Sequence, residues 1–281
     1  MSVMAEWVVS QVSWGHFYLD GGAMFGIVPR AIWSKLLEPN ESNGIRMALR
    51  SLLLRREDRV VLVDCGIWPA FPEKLRDGVY RVCQPDMRKT LREQAGLEPE
   101  QVTDVVATHL HFDHVGGIVR QSEGGLVPTF PNARLHVQRG QLEWARAASI
   151  KDRGSYVPSL VEQIDRNPGL TVHDGPFDLV DAVRVEVAAG HTPGMQIVHV
   201  VSGGQRFVHA ADMVPSSAHV PLPYVMAFDL EPLKTIAEKE SLFTSWPDAV
   251  YFFMHDPEHP FWKLEKTEKG WQRGARWVGA A

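Results

Sequence analysis

The chain has 281 residues, 44% of them hydrophobic and 22% charged, enough to bury a sizeable core without disulfide staples. Its net charge of −5 argues against a nucleic-acid partner, because phosphate binding leaves a basic footprint. No run approaches the roughly 18 apolar residues of a membrane span. The first twenty residues lack the basic start and apolar stretch of a secretory signal, and the two cysteines, Cys65 and Cys83, suit a reducing compartment. The expectation is a soluble, cytoplasmic protein with a small-molecule substrate, no nucleic acid and no membrane.

In chain order, "MALRSLLLR" (47–55) and "RVVLVDCG" (59–66) are apolar, β-branched segments around the charged turn "REDR", a hairpin pattern. "DMRKTLREQAG" (86–96) sets Met87 and Leu91 on one helical face and stops at Gly96. "VTDVVATH" (102–109) predicts a buried strand, "ARLHVQ" (133–138) another, and "RGQLEWARAAS" (139–149) a helix. Strands follow at 183–189, 195–202 and 205–212, the last two joined by the tight-turn signal "SGGQ". A helix at 230–246 and a strand at 249–256 complete the series. Stretches 66–85 and 213–229 lack periodicity, and the second is long and apolar for a loop, as in a lid. It could cover a neighbour's pocket as easily as its own, so a homo-oligomer is compatible with the sequence. Interleaved strands and helices predict one α/β domain over residues 1–281.

Residues 108–117 read "THLHFDHVGG". Imidazoles and carboxylates are the ligands that zinc, iron and manganese accept. On an extended chain His109 and His111 face the same way and can reach one ion. Asp113 and His114, past the strand end, could serve a second, and Gly116 and Gly117 would allow a sharp turn and close backbone approach. Four ligands undersupply two ions. His191 in "GHTPG", Asp212 in "RFVHAAD" and His255 in "YFFMHD" each follow an apolar strand and are the candidates for the remainder.

This series, H-x-H-x-D-H followed by a "GHTPG" histidine, an aspartate and a last histidine, resembles the metallo-β-lactamase superfamily from about Leu52 to Asp256. The resemblance implies an αββα four-layer sandwich. It also implies that His109, His111 and His191 bind one metal ion, that Asp113, His114 and His255 bind the second, and that Asp212 bridges them. Two Zn2+ ions are expected, with iron or manganese as alternatives. "VDCG" resembles that superfamily's D-x-G segment, where Asp64 either holds a ligand histidine or closes a turn. His136, His173, His199 and His209 fit no ligand slot and are expected to be structural.

Within the superfamily, Asp212 stands where the zinc β-lactamases mostly use cysteine, and His111 stands where the di-iron oxygen reductases carry glutamate. "AADMVPSS" is unlike the "GDTLF" segment of glyoxalase II. "GHTPG" and "YFFMHD" are most similar to acyl-homoserine lactonases and related organophosphate hydrolases. Those lactonases place a tyrosine three residues after the bridging aspartate, where this chain has Pro215; Tyr224 is a candidate replacement. The resulting expectation is a dinuclear hydrolase using a metal-bridging hydroxide on a small ester or lactone, with Asp113 and Asp212 as the catalytic carboxylates. A glyoxalase II-like thioesterase, a promiscuous β-lactam or phosphotriester hydrolase, and a noncatalytic metal-binding protein are the alternatives. Met24, Phe25, Trp33, Trp68, His219 and Tyr224 are expected to wall the substrate pocket.

Overall fold

The structure, a computed structural model, describes residues 6–279. Its first sheet joins β1 (Val8–Asp20), β2 (Gly44–Arg56), β3 (Arg59–Val63), β4 (Asp104–Val106), β7 (Arg134–Gln138) and β8 (Leu170–His173) in that order. A small ribbon, β5 (Val119–Ser122) with β6 (Gly125–Pro128), stands apart. The second sheet runs β15 (Gly270–Arg276), β14 (Phe261–Thr267), β13 (Val250–Phe252), β12 (Gln205–His209), β11 (Met195–Ser202), β10 (Val183–Ala188), β9 (Phe177–Val180). The helices are α1 (Gly21–Phe25), α2 (Arg30–Trp33), α3 (Met87–Ala95), α4 (Phe112–Val115), α5 (Arg139–Arg146), α6 (Pro158–Asp165) and α7 (Pro232–Ser245).

Side-chain alternation explains the layering. On β3, Val61 and Val63 pack with Val198 and Val200 of β11, Phe207 of β12 and Phe252 of β13 between the two sheets. The intervening Val60 and Leu62 face outward, into a core that also holds Leu91 of α3, Leu142 of α5 and Leu160 of α6. On the far side Ile197, Val208 and Tyr251 pack with Leu242 and Phe243 of α7. Strands buried on both faces read as continuous apolar runs, as "RVVLV" does. The result is helix, sheet, sheet, helix, the four-layer sandwich that the resemblance implied.

The hairpin expected at 47–66 is β2 and β3, and the helix expected at 86–96 is α3, capped by the Asp86 carboxylate on Lys89 N and by Gly96 in the left-handed region. The strand expected over 102–109 is shorter. It ends at Val106, because the Thr108 N–H turns to the Asp64 carboxylate, 2.7 Å away, rather than to a neighbouring strand. His109 and His111 therefore converge from a loop and not by strand alternation. Stretch 213–229 is also not an open loop, since residues 213–220 are all buried.

β3, β4 and β7 run parallel to one another, and so do β12 and β13. Asp64, His109, Asp212 and His255 all lie just beyond the C-terminal ends of β3, β4, β12 and β13, so the two sheets deliver them to one edge of the sandwich.

Candidate metal centre

α4 starts at Phe112, and residues 65–68 run against it, with Cys65 N donating to His114 O and Trp68 N to Phe112 O, the latter at 2.9 Å. The contact is so close that a Cβ on Gly116 would lie 1.9 Å from Trp68 N, and one on Gly117 2.0 Å from Cys65 O. The glycines are needed for this approach of two backbones; Gly116 itself has an ordinary helical φ of −58°.

All seven candidate ligands are buried and converge. His111 Nδ1 lies 3.0 Å from His109 Nε2 and 3.3 Å from His191 Nε2. His114 Nε2 lies 3.1 Å from His255 Nε2. Asp113 Oδ2 is 3.5 Å from His255 Nε2. Asp212 stands between the groups, with Oδ1 3.3 Å from His114 Nε2 and Oδ2 3.7 Å from His191 Nε2. Nitrogens placed tetrahedrally at zinc–imidazole bond lengths are about 3.3 Å apart, the same spacing.

The far side of each ring fixes its tautomer. His191 Nδ1 faces Asp229 Oδ1 at 2.8 Å, His255 Nδ1 faces Ala48 O at 2.8 Å, and His114 Nδ1 faces Asp64 Oδ2 at 2.9 Å. A carboxylate or carbonyl oxygen only accepts, so in each neutral ring Nδ1 carries the hydrogen and Nε2 presents a bare lone pair. As neutral rings His114 and His255 would aim two lone pairs at each other, and Asp212 Oδ1 is buried without a hydrogen-bond donor among the described residues. That cluster needs positive charge. The pKa shifts agree: burial alone would lower His114, yet Asp212, Asp113 and Asp64 hold it well above the ordinary range. Burial and the neighbouring imidazoles push His109 and His111 well below it. Asp212 is held well below the usual carboxylate range by His114 and His255 against the effect of its burial. Among the described residues three overlapping sets could hold an ion: His109, His111 and His191; His109, His114 and Asp212; and Asp113, His114 and His255. Five imidazoles and two carboxylates suit zinc, iron or manganese.

Supporting groups lock this arrangement. Asp64 sits at φ 59°, a left-handed conformation that aspartate tolerates, and its carboxylate accepts from Thr108 N, Thr108 Oγ1 and His114. It both closes the turn after β3 and holds a candidate ligand. Gln141 of α5 accepts from Leu110 N at 3.0 Å and donates to Pro193 O at 2.6 Å, stapling the loop of His109 to that of His191. Nothing in the sequence marks Gln141 or Asp229. His209 is buried beside Asp64 and accepts from Ala211 N, while His136 bonds Asp104 and His173. His199 lies 3.5 Å from Glu186, and none of these four histidines joins the cluster.

A cavity of about 240 Å³ opens on the cluster, lined by His111, Asp113, His191, Asp212 and His255, and by Leu19, Met24, Tyr80, Phe112, Lys151, Gly154, Ser155, Met226 and Phe228. Of the six residues expected to wall it, Met24 does. Phe25 stacks on Trp33 at 5.6 Å and on His219 at 4.4 Å, with the Tyr224 ring edge-on at 6.2 Å, and these four pack away from the lining. His219 has no free nitrogen for a ligand: Ser216 Oγ lies 2.7 Å from Nδ1 and Met24 O 3.0 Å from Nε2, and burial brings its pKa down to about 3. Trp68 lines a separate cavity with Met87 and Arg120. Met226 and Phe228 belong to the apolar 213–229 stretch; Leu19, Tyr80 and Lys151 carried no sequence signal. The stretch is pinned by Lys239 of α7, whose buried Nζ donates to the carbonyls of His219, Pro221 and Tyr224 at 2.6, 3.0 and 3.0 Å.

The profile of the Metallo-beta-lactamase superfamily matches residues 50–266. The chain belongs to that superfamily, and its lactonase relatives place it among the metal-dependent hydrolases. It is 28% identical to an N-acyl homoserine lactonase of Bacillus cereus over 163 residues, 55% of this chain and 58% of that protein. It is 26% identical to one from a Bacillus sp. over 220 residues, 73% of this chain and 80% of that one. Among solved structures, a probable metal-dependent hydrolase from Staphylococcus aureus aligns with a TM-score of 0.85 and 25% identity, covering 98% of this chain and 97% of the other. AidC, a dizinc quorum-quenching lactonase in complex with an N-acyl homoserine product, aligns at 0.81 and 21%, covering 99% and 97%. The metallo-β-lactamase superfamily fold expected from "THLHFDHVGG" and the later ligands is the fold observed.

Proposed function

We propose that this chain is a dinuclear metal hydrolase that opens small lactones or esters, with N-acyl homoserine lactones as its leading substrate class. The observation that carries this reading is the meeting of His114 Nε2 and His255 Nε2, 3.1 Å apart beside the buried carboxylate of Asp212. His109, His111 and His191 are assigned to one divalent cation, Asp113, His114 and His255 to the other, and Asp212 to both, with zinc preferred over iron or manganese. Bound there, such cations lower the pKa of water and polarise a carbonyl.

The chain's own residues supply the rest. Asp212 stays ionised, so it can orient an attacking water and take its proton. Asp113, whose carboxyl burial pushes up, keeps His255 Nε2 company at 3.5 Å on the other side of the cluster. Tyr80 lines the cavity, and its phenol is pushed up by burial and by the charge of Asp113, so it stays protonated as a hydrogen-bond donor. We assign Tyr80, rather than Tyr224, the carbonyl contact left open at Pro215. Leu19, Met24, Phe112, Met226 and Phe228 form an apolar wall for an acyl chain. The lactonase relatives support the substrate class.

The test compares metal-stripped and zinc-reconstituted protein on N-hexanoyl homoserine lactone, a thioester, a β-lactam and a phosphotriester. Lactone turnover that appears only with metal is expected, with the other substrates slower. A fully metallated protein that cleaves none of them overturns the hydrolase reading in favour of metal binding alone.

A further inference from the structure

Of the residues lining the cavity, Tyr80, Lys151 and Ser155 are the polar side chains outside the ligand cluster. Lys151 is held unusually well for a lysine at a cavity mouth. It sits in the turn between α5 and α6, where the buried Asp152 carboxylate accepts from Trp144 Nε1 at 2.7 Å and from Ser149 Oγ at 2.8 Å. Ser149 Oγ in turn accepts from Lys151 N at 3.2 Å. The side chain then crosses to the opposite wall, and Nζ donates to the carbonyls of Ala227, at 2.8 Å, and Asp229, at 2.5 Å. An ammonium has three N–H donors. Two are spent on these carbonyls, and the third has no partner among the described residues. Ser155, two residues beyond Arg153 in the same turn, adds a hydroxyl to this corner of the lining. The remainder of the wall away from the cluster is apolar.

We propose that Lys151 is a specificity-determining residue: its uncommitted N–H receives a second acceptor oxygen on the substrate, a carbonyl or carboxylate carried on the acyl side and separate from the oxygen of the bond that breaks. This deepens the proposed function and rests on it. A cation tethered at two points loses little further freedom when it makes a third bond, so the contact adds affinity at small entropic cost. Lys151 is thereby the residue that separates a lactone bearing an amide from a plain alkyl lactone of the same length. Through Asp229, whose carbonyl it also holds, it stands next to the partner of His191, so metal content must be followed in any variant.

The experiment measures binding by calorimetry, independent of turnover, on zinc-loaded wild type, Lys151→Met and Lys151→Arg at equal metal content. The probes are N-hexanoyl-homoserine, which carries an amide carbonyl, an alkyl hydroxy acid of matched length without one, and the same hydroxy acid with a terminal carboxylate on its chain. Lys151→Met is expected to weaken the amide probe by about 10- to 100-fold, the range for losing a hydrogen bond to a charged group. It should leave the plain hydroxy acid within about 2-fold, with Lys151→Arg intermediate. A response of the carboxylate probe alone assigns the acceptor as an anion; a response of the amide probe assigns it as neutral. Equal weakening of all three probes, no weakening, or no binding of an acceptor-bearing probe to wild type overturns the proposal. Failure of the proposed function has a different signature, the absence of lactone turnover by wild type whatever it binds.

Discussion

Asp229 holds His191 from behind: its Oδ1 lies 2.8 Å from His191 Nδ1, and its Oδ2 accepts from Met226 N at 3.1 Å. One buried carboxylate therefore fixes both a candidate ligand and a residue of the cavity wall. Replacing Asp229 by Ala frees the imidazole to rotate and to take the other tautomer. The expected outcome is a loss of about 10- to 100-fold in metal affinity at the set containing His191, read by competition with a chelator. The set containing His255 is held instead by Ala48 O and should change little. Equal weakening of both sets would show that Asp229 acts on the fold as a whole rather than on His191.

Tyr80 is expected to act on chemistry and not on metal retention. Its ring is wedged between Phe71 at 5.3 Å and Phe112 at 5.1 Å, so Tyr80→Phe keeps the packing and removes only the hydroxyl. Loss of a donor aimed at developing negative charge lowers kcat by about 10²-fold. Metal stoichiometry and Tm should stay at wild-type values. Unchanged kcat on the preferred lactone would leave Tyr80 as part of the wall.

The seven candidate ligands were legible because their segments follow apolar strand signals, and the layering because that series of motifs resembles the metallo-β-lactamase superfamily. Short, β-branched apolar runs such as "RVVLV" fit strands buried on both faces, and the candidate ligand segments follow such runs. Strand β1 was not legible. Its buried Val12 and Trp14 alternate properly, but a bulge between Ser13 and Gly15 inserts a residue, and the next buried side chain is Phe17. The break in period hides a 13-residue strand. The cavity wall was misread for another reason. Phe25, Trp33 and His219 look like pocket residues by composition, yet they stack on one another, and only tertiary contacts reveal which apolar side chains have already been used. Asp229 and Lys151 are single polar residues without a motif, placed by pairings 38 and 78 positions away in the chain.

The two glycines after the histidine run give a test of the close backbone approach. A methyl group at Gly117 would meet Cys65 O at 2.0 Å and the Met87 side chain at 2.6 Å, so backbone must move. Gly117→Ala is expected to cost about 1–3 kcal/mol in chemical denaturation. Because Cys65 N bonds His114 O, the shift carries to the His114 side of the cluster, and chelators should strip metal faster from the variant. Gly124→Ala, where a Cβ would meet no atom of the described residues within 4 Å beyond its chain neighbours, is the control and should be silent in both measurements.

Lys239 should write a distinct pH dependence into stability. It is buried in α7 against the carbonyls of His219, Pro221 and Tyr224, and burial lowers its pKa from 10.5 to about 7, opposed by the charge of Asp229. In the unfolded chain the group titrates near ~10.4. Below pH 7 both states carry the proton and this lysine contributes no slope. Between about 7 and 10 the unfolded state binds more protons than the folded one, so stability rises with pH through that window. The full rise is at most on the order of 4 kcal/mol. Lys239→Met removes the rise and leaves its carbonyls without a donor, each costing about 1–3 kcal/mol at neutral pH. Those carbonyls belong to the stretch that carries Met226 and Phe228, so KM should rise while metal content is retained. Urea denaturation of both proteins from pH 6 to 10 reads the difference directly. A variant whose stability climbs with pH as steeply as wild type would place the slope elsewhere and remove Lys239 from the account.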